Sequence, residues 1–260
     1  MAADSPSTAI DRALSILEAL AGNDAGLTNS QISRRLDIPR SSASYILRAL
    51  ERRGYLRREP DTGKYHLGLK VLSLNRGVLS GLDLRELARP VLRSLVERSH
   101  LTAHLAVLDH GQAVYVEKAE AAGFIKMDTW VGRRMDVHST SVGKALVAFR
   151  PKAQVEAILR QHGLRKRTPK TLTAPSKFFR ELEKVRTQRY AVDDEENNLA
   201  VRCVAAPVFD PLGEVQAAVG VSGTISQLNK VNLPRIAALV QEAARKISKQ
   251  LSRQAARRRE

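Results

Sequence analysis

Apolar residues recur at helical spacing from the start of the chain. Ile10, Ala13, Leu14, Leu17 and Leu20 step by three and four behind a Thr8 or Ser7 cap. The stretch from Gly22 to Gly26 breaks this first helix. A second begins at Thr28, with Gln31 three residues on as its capping-box partner and Ile32 and Leu36 on its buried side. A short Asp37-Ile38 turn leads to Pro39, whose missing N–H costs nothing at a helix start. The third helix is predicted from Pro39 to Arg53, with Ala43, Ile46, Leu47 and Leu50 inward. Gly54 ends it. Two short runs, Tyr55-Leu56-Arg57-Arg58 and Lys64-Tyr65-His66-Leu67, then flank Pro60-Asp61-Thr62-Gly63, which predicts a hairpin.

Gly68 opens a further helix, along which Leu69, Leu72, Arg76 and Leu79 form a short heptad-like seam. The seam reads equally as a pairing surface or a packed connector. Gly77 and Gly81 mark a boundary near residue 80. Beyond it the pattern predicts a helix from Asp83 to Arg98, interrupted by Pro90. Strands follow over Thr102 to Asp109, Ala113 to Glu117 and Phe124 to Val131, with a tight Asp109-His110-Gly111 turn. Helices are expected over Ser141 to Phe149, Pro151 to His162 and Ser176 to Arg189. Strands are expected over Tyr190 to Val192, Val201 to Phe209 and Val215 to Ser222, and a last helix over Leu233 to Ser252. Helices segregated around strands indicate an α+β chain, not a doubly wound sheet. The expected divisions are residues 1–68, a linker helix over 69–82, and a larger unit over 83–260.

The second stripe of the third helix carries chemistry. Ser41, Ser44, Tyr45 and Arg48 share a side, with Arg40 at the N-terminal end, and short hydroxyls and cations suit the base edges of a major groove. Thr28 and Ser42 join this set, and Arg57, Arg58 and Lys64 on the hairpin are placed to meet phosphates. Helix, turn, helix, glycine and hairpin in that order describe a winged helix-turn-helix. Between Arg34 and Lys64 stand nine Lys/Arg and four Asp/Glu, which predicts a steep salt dependence on DNA. The whole chain has a net charge of +16, as a partner of polyanions has. A single cysteine, Cys203, excludes a disulfide framework within the chain. No run is long and apolar enough to span a membrane, and the N-terminus lacks a secretory pattern, so a cytoplasmic protein with no membrane partner is expected.

In the larger unit, Thr140 and Ser141 stand at a helix start, where free N–H groups near Val142 and Gly143 favour an anion. Plain N-capping is an equal reading. The Asp193-Asp194-Glu195-Glu196 run reads as a solvated acidic loop in preference to a metal cluster, and Cys203 by itself reads as a buried small hydrophobe. No metal or other cofactor is implied.

The order of motifs resembles the IclR family of bacterial transcription regulators. The matching stretches are Ile38-Pro39-Arg40-Ser41, Gly63-Lys64-Tyr65-His66-Leu67-Gly68, Val131-Gly132-Arg133-Arg134, His138-Ser139-Thr140-Ser141-Val142-Gly143-Lys144-Ala145, Tyr190 to Glu196, Val201 to Asp210 and Val219 to Gly223. The resemblance implies a GAF-like α/β sandwich over 83–260 that binds a small effector, often a carboxylate or aromatic acid. It implies an effector pocket lined by Ser141, Val142, Asp193, Cys203 and Ser222. It also implies homodimers or homotetramers on a palindromic operator, with repression the expected mode. Effector binding is then expected to act through the connector from Gly68 to Gly81, by a difference in affinity for two arrangements.

Two rivals stand against this reading. An enzyme would need more than His138 beside Ser139 or Ser141 with Asp193: no Gly-x-Ser-x-Gly elbow, HExxH, Gly-x-Gly-x-x-Gly or P-loop pattern is present, so no catalytic residue is assigned. An architectural nucleic-acid-binding protein without a ligand would explain the thirteen Lys/Arg and three Asp/Glu from Lys144 to Arg189, although a solvated face is the simpler reading of that excess.

Overall fold

The computed structural model describes residues 8–74, 83–122 and 127–257. The chain divides into two compact units, Met1–Gly81 and Leu82–Glu260.

The first unit opens with α1 (Ala9–Ala21), α2 (Asn29–Leu36) and α3 (Arg40–Arg52). Local chemistry sets each start. Thr8 with Asp11, and Thr28 with Gln31, both close full capping boxes. After α3, Gly54 takes a φ of 78°, which a side chain would strain. The wing is β1 (Leu56–Arg58) paired antiparallel with β2 (Tyr65–Leu67). Ile16, Leu20, Ile32, Ala43, Ile46, Leu47, Leu56 and Tyr65 make one core. The first helix packs differently from the expected stripe. Ile16 and Ala19 are buried, whereas Ile10 and Leu14 are 73% and 53% exposed. The apolar arc of α1 is wider than the surface it meets within its own unit. A further helix, α4, is described over residues 70–74. Leu69 and Leu72 stand exposed beside it. Arg76 and Leu79 of the seam, and the rest of the connector to residue 82, lie outside the described residues.

The second unit is a six-stranded antiparallel sheet between two helical layers. Its elements are α5 (Asp83–Ser99), β3 (Thr102–Asp109), β4 (Gln112–Ala119), β5 (Arg134–Met135), α6 (Ser141–Val147), α7 (Lys152–His162), α8 (Pro175–Gln188), β6 (Ala191–Asp194), β7 (Val201–Phe209), β8 (Val215–Thr224) and α9 (Leu233–Arg257). The strand order is β5-β4-β3-β8-β7-β6. Strand side chains alternate between faces. Val204, Ala206, Val219 and Val221 pack under α5 and α9, while Ala205 and Ala218 pack under α6, α7 and α8. This is the expected α+β sandwich. No described helix is long and apolar enough to cross a membrane.

One predicted strand, Phe124 to Val131, is not formed over its described residues, 127–131. Phe124, Ile125 and Lys126 lie outside the described residues, and residues 127–133 form an irregular loop instead of a strand. The loop is tied down by side chains and single bonds instead of a ladder: Lys118 Nζ donates to the carbonyls of Met127 (3.2 Å) and Thr129 (2.6 Å), and Gly132 N donates to Tyr115 O (2.7 Å). Strand pairing resumes only at Arg134–Met135. At the other end α9 runs past the expected Ser252, because Ala255 and Ala256 are strong helix formers.

Gly143 shows where packing overrules helix propensity. It is the third residue of α6, where alanine should be favoured by about 1 kcal/mol. A Cβ there would lie 2.4 Å from Val137 Cα and 2.7 Å from Val137 O. The Gly143→Ala variant is therefore expected to lose roughly 1–3 kcal/mol, read as a lower urea midpoint of the full chain at unchanged m.

Candidate functional site

The first unit presents one face of α3 outward. Arg40, Ser41, Tyr45 and Arg48 are exposed, Ser42 and Ser44 half-buried, and Ala43, Ile46 and Leu47 form the opposite, buried face. Tyr45 is 68% exposed, far more than a packing residue would be. The Arg40 guanidinium donates to Ser30 Oγ and Asn29 Nδ2 donates to Arg40 O, so α2 fixes the start of α3. Thr28 closes the capping box expected with Gln31, its hydroxyl bonding that side chain and accepting from Gln31 N. On the wing, Arg57 and Arg58 are exposed and Lys64 half-buried, with Arg58 lying 5.7 Å from the Tyr65 ring centre. Arg34, Arg35 and Arg52 are exposed on the same helices and were not among the expected residues.

The second unit holds a cavity of about 280 Å³ on the face of the sheet covered by α6. Strand register builds its floor. Asp193 of β6 pairs with Cys203 of β7, and Cys203 pairs with Ser222 of β8. All three side chains therefore stand in one row across three strands. The Cys203 thiol stands between its two neighbours, and burial raises its pKa well above the ordinary thiol range. Tyr115 extends the floor on β4, stacked at 4.6 Å on His104. Burial lowers the His104 pKa to about 3, so the ring is neutral, and its Nε2 meets Thr129 Oγ1 at 2.8 Å. The 127–133 loop forms a wall with Thr129 and Arg133. Arg133 is the only cation among the described lining residues. It lies 4.7 Å over the Trp130 ring and 3.5 Å from Asp128.

The acidic run is not a solvated loop. Asp193 is buried and its Oδ1 accepts from the backbone N–H groups of Glu196 (2.8 Å) and Asn197 (3.2 Å). Burial raises its pKa to about 7 in spite of those bonds. Glu196 meets Lys144 at 2.5 Å, and Lys144 is completely buried. Asp194 pairs with Arg202, and Glu195 with Lys170. The sequence reading took the run as one solvated loop and set apart only Asp193, through the family resemblance, whereas β6 alternation and the turn after it give each acid a separate partner. No group able to hold a metal occurs among the described residues.

Four of the five expected pocket residues, Ser141, Asp193, Cys203 and Ser222, line this cavity. Val142 is a correction. It is buried in the core beneath α6 with Ala145 and Leu146, because the second residue of that helix turns toward the sheet. Thr140 acts as an N-cap, accepting from Gly143 N at 3.2 Å. Tyr115, Thr129, Arg133 and Asn197 were missed. Only Arg133 stood in a recognised motif, and nothing in the spacing of the others points to a shared cavity. The hydrolase constellation does not assemble: His138 Nε2 faces the Arg165 carbonyl at 3.0 Å, and Ser139 donates to Asn197.

Comparison with known proteins agrees with both units. The profile of the IclR helix-turn-helix domain matches residues 9–60, and that of the bacterial transcriptional regulator IclR C-terminal domain matches residues 76–249. The HTH-type transcriptional regulator XynR of Escherichia coli is 33% identical over 93% of this chain and 96% of its own length. The HTH-type transcriptional repressor AllR of the same organism is 30% identical over 92% of this chain and 89% of its own. Among solved structures, an IclR homologue from Microbacterium hydrocarbonoxydans, complexed with 4-hydroxybenzoate, superposes with a TM-score of 0.80 at 26% identity, covering 94% of this chain and 99% of that one. The two profiles lie in chain order and together span most of the sequence: this chain belongs to the IclR family of bacterial transcriptional regulators.

Proposed function

We propose that this regulator is controlled by a small organic acid bound in the second-unit cavity. The observation that carries the reading is the polarity of that cavity: one guanidinium, Arg133, in the loop wall, and the polar row of Cys203, Ser222 and Asp193 on the floor. A carboxylate is matched by Arg133, and a hydroxyl or carbonyl at the other end by the row. An apolar cavity of about 150 Å³ holds benzene, so 280 Å³ admits an aromatic ring with two polar substituents. The 4-hydroxybenzoate complex of the Microbacterium relative supports this ligand class.

On DNA, Arg40, Ser41, Ser44, Tyr45 and Arg48 read or position in the groove, and Arg57, Arg58 and Lys64 clamp the backbone. Residues 1–68 form the DNA-binding part, 69–82 the linker and 83–260 the effector-binding and oligomerising part. The exposed Ile10 and Leu14 on α1 and Leu69 and Leu72 by α4 support a homo-oligomer on a palindromic operator. Repression is the expected mode, in a cytoplasm where operator and metabolite meet. The effector acts only through its difference in affinity between DNA-competent and incompetent arrangements.

A footprint on the chain's own upstream DNA, with and without a panel of carboxylic and aromatic acids, tests the whole reading. Protection that changes with one acid is expected; protection indifferent to all of them would remove the effector. Arg48→Ala should weaken operator binding by about 1–3 kcal/mol and relax one position of the sequence preference. An equal loss on random DNA would reduce Arg48 to a phosphate contact. Arg133→Gln should weaken the responding acid by roughly ten- to a hundredfold in calorimetry, the loss of one charge-assisted bond, and leave effector-free operator affinity unchanged.

Asp193 adds a pH dependence. Its carboxyl faces Cys203 from β7, Ser222 lies beyond, and Glu196 and Lys144 stand behind it. With a folded pKa raised to about 7, it is neutral below that pH and anionic above. An anion in so small a cavity prefers the neutral form, so effector affinity should fall about tenfold from pH 6 to pH 8. Asp193→Asn should flatten that profile.

A further inference from the structure

The positive charge of this chain is not where its DNA-binding unit is. Residues 1–81 carry 12 Lys/Arg and 8 Asp/Glu, a surplus of 4. Residues 82–260 carry 31 and 19, a surplus of 12. Most of that lies in one layer. From Lys144 to Arg189, spanning most of α6, then α7, the following loop and α8, there are 13 basic and 3 acidic residues.

Part of this charge is neutralised within the fold. Lys144 is buried on Glu196, Arg167 pairs with Asp136 and Lys170 with Glu195. Lys152, Lys184 and Arg186 meet Glu156, Glu181 and Glu183, the three acids of the stretch. Arg160, Arg165, Lys166, Lys177 and Arg180 remain exposed, with no carboxylate within 4.0 Å among the described residues. They stand on a fixed scaffold. Phe178, Leu182 and Val185 bury one side of α8 and leave Lys177, Arg180 and Lys184 on the other at i, i+3 and i+7. The Lys152 ammonium, 5.5 Å from the Phe179 ring, ties the first turn of α7 to that of α8. The loop between them is held by the Arg165 carbonyl on His138 and by the Thr168 and Thr171 hydroxyls, which donate to the Glu195 and Glu196 carbonyls.

Like charges gathered in one helical layer, exposed and unpaired, draw a polyanion. A chain already delivered to an operator has one at hand: duplex DNA carries one charge per 1.7 Å and continues past the recognised sequence. We propose that the outer face of α7, the 163–174 loop and α8 is a second DNA-binding surface, which grips phosphates outside the operator through Arg160, Arg165, Lys166, Lys177 and Arg180 without reading sequence. The footprint is then longer than the helix-turn-helix half-sites require, and the salt dependence steeper.

The test compares wild type with the K166Q/K177Q/R180Q variant on the bare operator and on the operator with about 20 bp of random flank at each end, which adds roughly 40 phosphate charges per side. In wild type the flanks should tighten binding at least tenfold at low salt. The variant should bind the bare operator as wild type does, lose most of the flank gain, and show a flanked salt slope shallower by up to about 3 per protomer. Normal affinity for the bare operator also reports that the variant is folded and that the first unit works. A full flank gain in the variant overturns the proposal. So does the absence of a gain in wild type, which needs no variant at all. Wild-type, salt-sensitive binding to polyglutamate without any flank gain would instead assign this face to an acidic protein.

Discussion

The second unit depends on one buried ion pair. Lys144, with no exposed surface, reaches from α6 to Glu196 at 2.5 Å and to the Val192 carbonyl at 2.8 Å. An unpaired ammonium in that position would cost several kcal/mol, so α6 and the turn after β6 must stay in register. That turn presents the two N–H groups that hold Asp193. Gly143, beside Lys144, lets the same helix approach Val137 closely. The cavity floor is thus set by a contact that never touches a ligand.

Two kinds of order meet in the cavity. The floor is sheet: Asp193, Cys203 and Ser222 share a row because three antiparallel strands hold one register. The wall is loop: residues 127–133 hang on Lys118, the His104–Thr129 contact and single bonds to Tyr115. A ladder resists displacement and a tethered loop yields more readily. The proposed carboxylate contact of Arg133 therefore sits on the more adjustable side. The polar row of Asp193, Cys203 and Ser222 sits on the rigid side.

Charge is divided against expectation as well. The helix-turn-helix unit, with its exposed polar groups on α3, carries a surplus of only 4 charges. The larger surplus lies on the helices that cover the cavity face of the sheet. In the proposed reading, sequence preference and general affinity for polyanion belong to different surfaces.

The sequence by itself determined the elements, their order and the family. Capping boxes at Thr8 and Thr28, the glycine after α3 and the apolar runs of β3 and β7 are local signals, written within a few residues and satisfied within a few residues. It also placed Ser41, Tyr45 and Arg48 on one side of a helix, since 3.6-residue periodicity needs no partner. Only the tertiary structure decided what depends on neighbours far along the chain. It separated Val142, turned to the core, from Ser141, turned to the cavity. It gave each acid from Asp193 to Glu196 its own counterpart, replaced an expected strand by the Arg133 loop, and left Ile10 and Leu14 exposed on an apolar helix. Each of these outcomes is set by burial and cross-strand register, which a pattern along one segment does not contain.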